Sequence, residues 1–332
     1  MDAPQPVSLH PEVAAEFYEA WPSGIAVSRA GRIFVSFPRV EAVPAPFTLA
    51  EIVDGKAIPF PDAVTNALDL GDRARLVSAH GIAIGPRNRL LVLDTGARSF
   101  ERCDPRAAKL LTIDLDRNAI VHAIGFAHDV CLPTTYLNDL VIADDRGPAG
   151  HAFISDSSAD AIIVVDLGSG ASWRKLQGDP AVRGIDGIAL SPDERTLWWT
   201  PLGGHELYSI DTEILCAPHV DDGTLHRHVR RHAARGFGSD GLDTDRRGRV
   251  YFTDIEHGTV RRLIPEEDRY ELLLGGEHLM EWPDAVRIGP DNIIYVTDSQ
   301  LNRSPRFNGG RDERTRPFRL YRAAIDAEPA QY

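Results

Sequence analysis

Cysteine and methionine are scarce in this 332-residue chain, at three and two residues. Three widely spaced cysteines, Cys103, Cys131 and Cys216, fit neither a disulfide framework nor a zinc motif, so three free thiols are expected. No apolar run approaches the roughly 18 residues of a membrane-spanning helix. The first residues lack the basic start and apolar stretch of a secretory signal, and the expectation is a cytoplasmic protein with no membrane partner. Positive charge is also short: 36 Lys and Arg against 49 Asp and Glu leave a net charge of −13, which disfavours phosphate backbones and makes nucleic acid an unexpected partner. Nucleophile elbows, phosphate loops and histidine-rich zinc motifs are missing. What is present, 43% hydrophobic and 26% charged residues, is the composition of a globular chain able to bury a core.

The chain is organised around one repeated stretch. Its clearest copy runs from Gly238-Ser239-Asp240-Gly241-Leu242 through a turn at Arg247-Gly248 to Val250-Tyr251-Phe252-Thr253-Asp254, a pattern that reads as two short antiparallel strands. Related copies begin near residues 21, 79, 137, 185 and 283. Their spacing of roughly 44 to 59 residues is what four-stranded propeller blades need. Two further strands follow most copies, as in Lys109–Leu115 and Ala119–Ile124. An all-β, six-bladed β-propeller in one domain is therefore expected. The sixth copy has a third strand near Phe318–Ile325 and no fourth, and the segment around Val13–Tyr18 has no predecessor, so the N-terminal strand is expected to close the last blade. Segments near 59–78, 211–224 and 299–317 are too long for blade turns and are expected to cap one face. Trp198 and Trp199, inside a strand, are expected in packing.

Propeller inner strands line a central channel, so the residues just before them converge at its mouth. Those positions are Ser23, His80, Asp139, Asp186, Asp240 and Asp284, four of them carboxylates. Crowded carboxylates repel one another unless a cation, a proton or a cationic ligand compensates them, and oxygen ligands suit Ca²⁺, Mg²⁺ or Mn²⁺. A divalent cation held by Asp186, Asp240 and Asp284 is expected, with Asp139 or His80 moving a proton. Ser23, Tyr136, Asn138 and Trp282 are the expected contacts to a small molecule, either a cyclic substrate or an amine.

The run Ala79-His80-Gly81-Ile82, then Lys109-Leu110-Leu111-Thr112-Ile113-Asp114-Leu115, Tyr136-Leu137-Asn138-Asp139, Asp186-Gly187-Ile188-Ala189-Leu190-Ser191-Pro192, Trp282-Pro283-Asp284 and Phe318-Arg319-Leu320 resembles the major royal jelly protein/yellow family over about residues 20–325. That family is similar in fold to the SMP-30/gluconolactonase propellers. Their lactonases hold a metal with a Glu, an Asn and an Asp where this chain has Ser23, Asp186 and Asp240. Their substrate-contacting Asn-Asp pair matches Asn138-Asp139, with Tyr136 in place of an Arg. The resemblance implies metal-dependent hydrolysis of a lactone-like ring, or a dopachrome-type isomerase, or a binder of small amines.

Overall fold

The computed structural model describes residues 9–41, 44–69, 74–144, 149–276 and 279–331; the signal-peptide expectation rests on residues outside this range. Alternating apolar residues between tight turns fold into six four-stranded antiparallel sheets, arranged as a six-bladed propeller. One turn shows the local chemistry: Val53 pairs with Lys56 across Asp54-Gly55, both at positive φ (49° and 73°), the geometry that a two-residue hairpin of this hand requires. The six inner strands are Ile25–Val27, Ala79–Gly85, Leu137–Ala143, Ile185–Leu190, Ser239–Thr244 and Pro283–Ile288. Each packs against the next and the last against the first, enclosing a channel.

Every inner strand from the second blade onward begins with a bulge, in which two residues oppose one on the neighbouring strand. The bulged pairs are His80-Gly81, Asn138-Asp139, Asp186-Gly187, Asp240-Gly241 and Asp284-Ala285. In the first blade Ser23-Gly24 takes the same place, bonded to both sides of Ser36. In blades one, two, four and five glycine is needed at the second position because the blades touch there. A Cβ on Gly187 would lie 2.1 Å from the Asp240 carbonyl oxygen, and one on Gly241 2.5 Å from that of Asp284.

The residue facing the bulge often carries a hydroxyl that links two blades. Ser36, Thr253 and Thr297 donate to the carbonyl oxygens of His80, Asp284 and Ser23 in the following blade, at 2.6, 3.1 and 2.7 Å. The Asp that follows the hydroxyl residue in the repeat then ties down the incoming loop. Asp156 accepts from Tyr136 N–H, and Asp298 from Trp282 N–H.

The last blade closes as its missing strand requires: Glu12–Phe17 pairs antiparallel with Phe318–Ala324, joining Glu12 to Arg322 and Phe17 to Phe318. Phe17 is buried with Phe37, Tyr295 and Phe318. Trp199 is fully buried and donates to the Ala181 carbonyl, as a packing residue should. The three long segments part company. Residues 212–216 and 222–228 are helices, and Trp173 and Lys175 of blade three's outer strand donate to the carbonyls of Leu215 in the first helix and Ala217 just after it, so this segment covers the outside of the propeller rather than the mouth. Within 59–78, Asn66 binds Thr48 N–H and Leu49 N–H, packing this segment against blade one; residues 70–73 lie outside the described range. Residues 299–317 do reach the mouth, through Leu301, Arg306 and Phe307.

Candidate functional site

The bulges fix which residues share a level around the channel. The ring reads Ser23, His80, Asn138, Asp186, Asp240 and Asp284, with three carboxylates rather than four. Asp139 was expected at this level and stands one residue further along, where the other blades have Gly or Ala. Its carboxylate accepts from its neighbour Leu140 N–H at 2.8 Å and, across the blade boundary, from Ile188 N–H at 3.0 Å. It therefore fastens blade three to blade four and does not line the mouth cavity.

That cavity, of about 140 Å³, is floored by His80, Asn138, Asp186, Asp240 and Asp284. Its walls include Trp21, Phe100, Tyr136, Arg306 and Phe307. The opposite end of the channel is covered by the C-terminal segment, where Ala330 N–H donates to Thr244 and the Gln331 amide to Ser191.

Four ring and wall residues form a chain of hydrogen bonds. The Ser23 hydroxyl donates to Asp284 Oδ1 at 2.9 Å, which leaves Ser23 Oγ to accept from His80 Nε2, also at 2.9 Å. His80 Nδ1 then accepts from the Tyr136 hydroxyl at 2.7 Å. Both ring nitrogens of the expected proton carrier are thus engaged, and burial pushes its pKa down to about 3, keeping the imidazole neutral. Burial, reinforced by the Asp284 charge, holds the Tyr136 phenol well above its ordinary range.

The carboxylates are held separately. Asn138 donates to Asp186 at 2.8 Å, and the Trp282 indole donates to Asp240 at 2.6 Å. Asp186 and Asp240 influence each other directly, so the two titrate as a pair. Asp186, Asp240 and Asp284 all sit well above the ordinary carboxylate range, first because they are buried and next because each faces another's charge. The cationic side chain lining the cavity, Arg306, lies at the rim. It is over the Phe100 ring at 4.5 Å and hydrogen-bonded to Glu101 at 3.0 Å.

This donor set does not fit the expected divalent cation. Asp186, Asp240 and Asp284 each take a hydrogen bond from Asn138, Trp282 or Ser23. Among the described residues no group of three His, Cys, Asp or Glu side chains converges closely enough to hold a metal ion. Where the lactonase-type site has a glutamate, Ser23 bridges His80 and Asp284.

Arg306 and Phe307 belong to the segment 299–317 that was expected to cap one face, whereas Phe100 was not among the expected contacts. Phe100 comes from a small hairpin, Ala97–Ser99 with Arg102–Cys103, inserted within blade two. Its only signal was the long gap between Asp94 and Lys109. Trp282, expected as a wall, acts through Asp240 and stacks on Phe307 with ring centroids 6.2 Å apart.

The sequence profile of the major royal jelly protein family matches residues 77–183 and 177–330. The chain belongs to the major royal jelly protein family. Within it, the chain is 27% identical to major royal jelly protein 7 of Apis mellifera over 306 residues, 79% of this chain and 67% of that protein. It is 29% identical to major royal jelly protein 3 of the same species over 58% of this chain, and 27% identical to protein yellow of Drosophila pseudoobscura pseudoobscura over 55%. These two matches span 40% and 38% of the relatives' own lengths. Among solved structures this royal jelly family member resembles a luciferin-regenerating enzyme, with TM-score 0.61, 14% identity and coverage of 96% of this chain and 97% of the other. It also resembles a gluconolactonase of Xanthomonas campestris, with TM-score 0.57, 16% identity and 95% of both chains covered. At such identities the likeness is one of fold.

Proposed function

We propose that the channel mouth binds a compact, positively charged ring compound, an aromatic or cyclic amine, with the ammonium on the carboxylate floor and the ring among Tyr136, Phe100 and Phe307. The observation that carries this reading is the burial of Asp186, Asp240 and Asp284 at the base of an aromatic cavity in which Arg306 stands at the rim. A cation entering there offsets the repulsion among the carboxylates, and aromatic faces favour it further. The cavity of about 140 Å³ suits a single small ring with a short side chain.

Metal-dependent hydrolysis of a lactone-like ring, the chemistry the resemblance implies, is not supported by the donor set described above. A second reading, ring isomerisation of the dopachrome type, draws on Asp186 and Asp240, two buried carboxylates of raised proton affinity lining a ring-sized cavity, where a proton can pass to and from a ring without water or metal.

Calorimetric titration of tyramine and of its neutral counterpart p-cresol tests the main reading. Tyramine should bind and p-cresol should not, and Asp284→Asn should weaken tyramine about tenfold, the equivalent of about 1.4 kcal/mol. Equal binding of both compounds would refute it. Exchange of ring hydrogens of a bound substrate with D₂O would favour the isomerase.

A further inference from the structure

Cys103 and Cys131 are 28 positions apart in sequence, yet their sulfur atoms lie 3.3 Å apart. Cys131 is fully buried and Cys103 is 9% exposed. Cys103 ends the inserted hairpin, whose own ladder consists of the pairs Ala97 with Cys103 and Ser99 with Arg102. The hairpin reaches the facing loop through Cys103 N–H, which donates to the Pro133 carbonyl at 3.2 Å. Between the hairpin strands Phe100 packs on Tyr136, ring centroids 5.0 Å apart, and both line the mouth cavity. Cys131 lies at the start of the loop that leads through Pro133 into Tyr136. The two cysteines thus bridge the two pieces of chain that form one wall of the cavity.

We propose that Cys103 and Cys131 form an intramolecular disulfide that fastens the Phe100 hairpin to the segment carrying Tyr136. The sulfurs need to close from 3.3 Å to about 2.05 Å, a movement that two side chains can share. The co-reactant is a low-molecular-weight disulfide of the oxidised-glutathione class. The Cys103 thiolate attacks one of its sulfurs, forming a mixed disulfide and releasing one thiolate. The Cys131 thiolate then attacks the Cys103 sulfur and releases the second. The external disulfide gains two electrons, and the two cysteine protons end on the released thiols. The Cys131 thiol and burial hold the Cys103 proton on, well above the ordinary thiol range. The exchange therefore proceeds while the hairpin is open, during folding or local opening, rather than on the closed protein. Cys216, on the helix Thr212–Cys216 on the outside of the propeller, takes no part and serves as an internal reference.

The test is to refold the denatured chain in a glutathione redox buffer and, separately, in excess dithiothreitol. Titration in denaturant should then find one thiol in the first sample and three in the second, with a tryptic peptide joining Cys103 to Cys131. In Cys216→Ser the oxidised count should fall to zero, which keeps the test valid even if Cys103→Ser folds poorly. Trypsin cleavage after the exposed Arg98 and Arg102 should slow several-fold in the oxidised protein, because the hairpin can no longer swing away. Three thiols in natively refolded, oxidised protein, a linkage through Cys216, or equal cleavage rates in the two samples would each overturn the proposal.

Discussion

Replacing Asp139 by Ala separates a role in holding the blades together from a role in chemistry. The carboxylate accepts two backbone N–H groups, from Leu140 at 2.8 Å and Ile188 at 3.0 Å, and no protein atom of an alanine can replace it. A buried donor left without an acceptor costs about 1–3 kcal/mol, so two cost about 2–6 kcal/mol. Asp139 keeps some exposure, which lets water satisfy part of the loss, and about 2–4 kcal/mol is the expected penalty. Asp243 makes the same pair of contacts, to Thr244 N–H at 2.9 Å and Ile288 N–H at 2.8 Å, and also pairs with Arg287 at 3.1 Å, so Asp243→Ala should cost at least as much. The measurement is urea unfolding followed by tryptophan fluorescence, alongside tyramine titration of the same preparation. Asp139→Ala should unfold at distinctly lower urea while binding tyramine within about threefold of the parent, a difference under about 0.7 kcal/mol. An unchanged urea midpoint together with lost binding or turnover would refute the blade-fastening argument and return Asp139 to the site.

Further outcomes are expected. Because Asp186, Asp240 and Asp284 have raised pKa values, the folded chain holds protons that the unfolded chain releases at ordinary carboxylate pH. Their stabilisation is therefore complete at low pH and lost as pH rises through the raised values, and Asp240→Asn should flatten that decline in a melting-temperature profile. Amine affinity should run the opposite way, increasing as pH rises through the same values, which a calorimetric pH series will show. Trp282→Phe removes the 2.6 Å donor to Asp240 and should destabilise the protein by about 1–3 kcal/mol, mostly where Asp240 is ionised. Phe17→Ala empties a buried position in the closing strand and should cost about 3–5 kcal/mol in urea unfolding of the whole propeller. Ca²⁺, Mg²⁺ and Mn²⁺ titrated into chelator-stripped protein should give no saturable heat, and a tight one-to-one isotherm would contradict the reading of the donor set.

The fold was readable from the sequence because its determinants are local. The alternating strand pair recurs in every blade, a bulge glycine marks blades one, two, four and five, a hydroxyl-Asp ending such as Thr253-Asp254 or Thr297-Asp298 marks blades three, five and six, and the unpaired third strand at Phe318 called for a partner. The ring slipped by one in blade three because Leu137-Asn138-Asp139-Leu140 has no glycine to mark the second bulge position. The pairing of Leu140 with Ile154 across the sheet is what decides it. Phe100, Arg306 and Phe307 reach the cavity from segments that fold back through tertiary contacts, such as the Arg306–Glu101 bond, and no spacing encodes that return. The Cys103–Cys131 approach was hidden for the same reason.

The bulge divides labour within each blade. The facing hydroxyl, the second residue and the backbone carbonyl of the first hold neighbouring blades together, while the side chain of the first residue is turned toward the mouth. Six first residues, Ser23, His80, Asn138, Asp186, Asp240 and Asp284, therefore act as a short word that can be respelled one letter at a time. The charge, polarity and acid–base character of the cavity can change with the word while the blade contacts beneath it stay as they are. Such a scaffold lends itself to descendants that differ sharply in ligand yet remain superimposable in backbone.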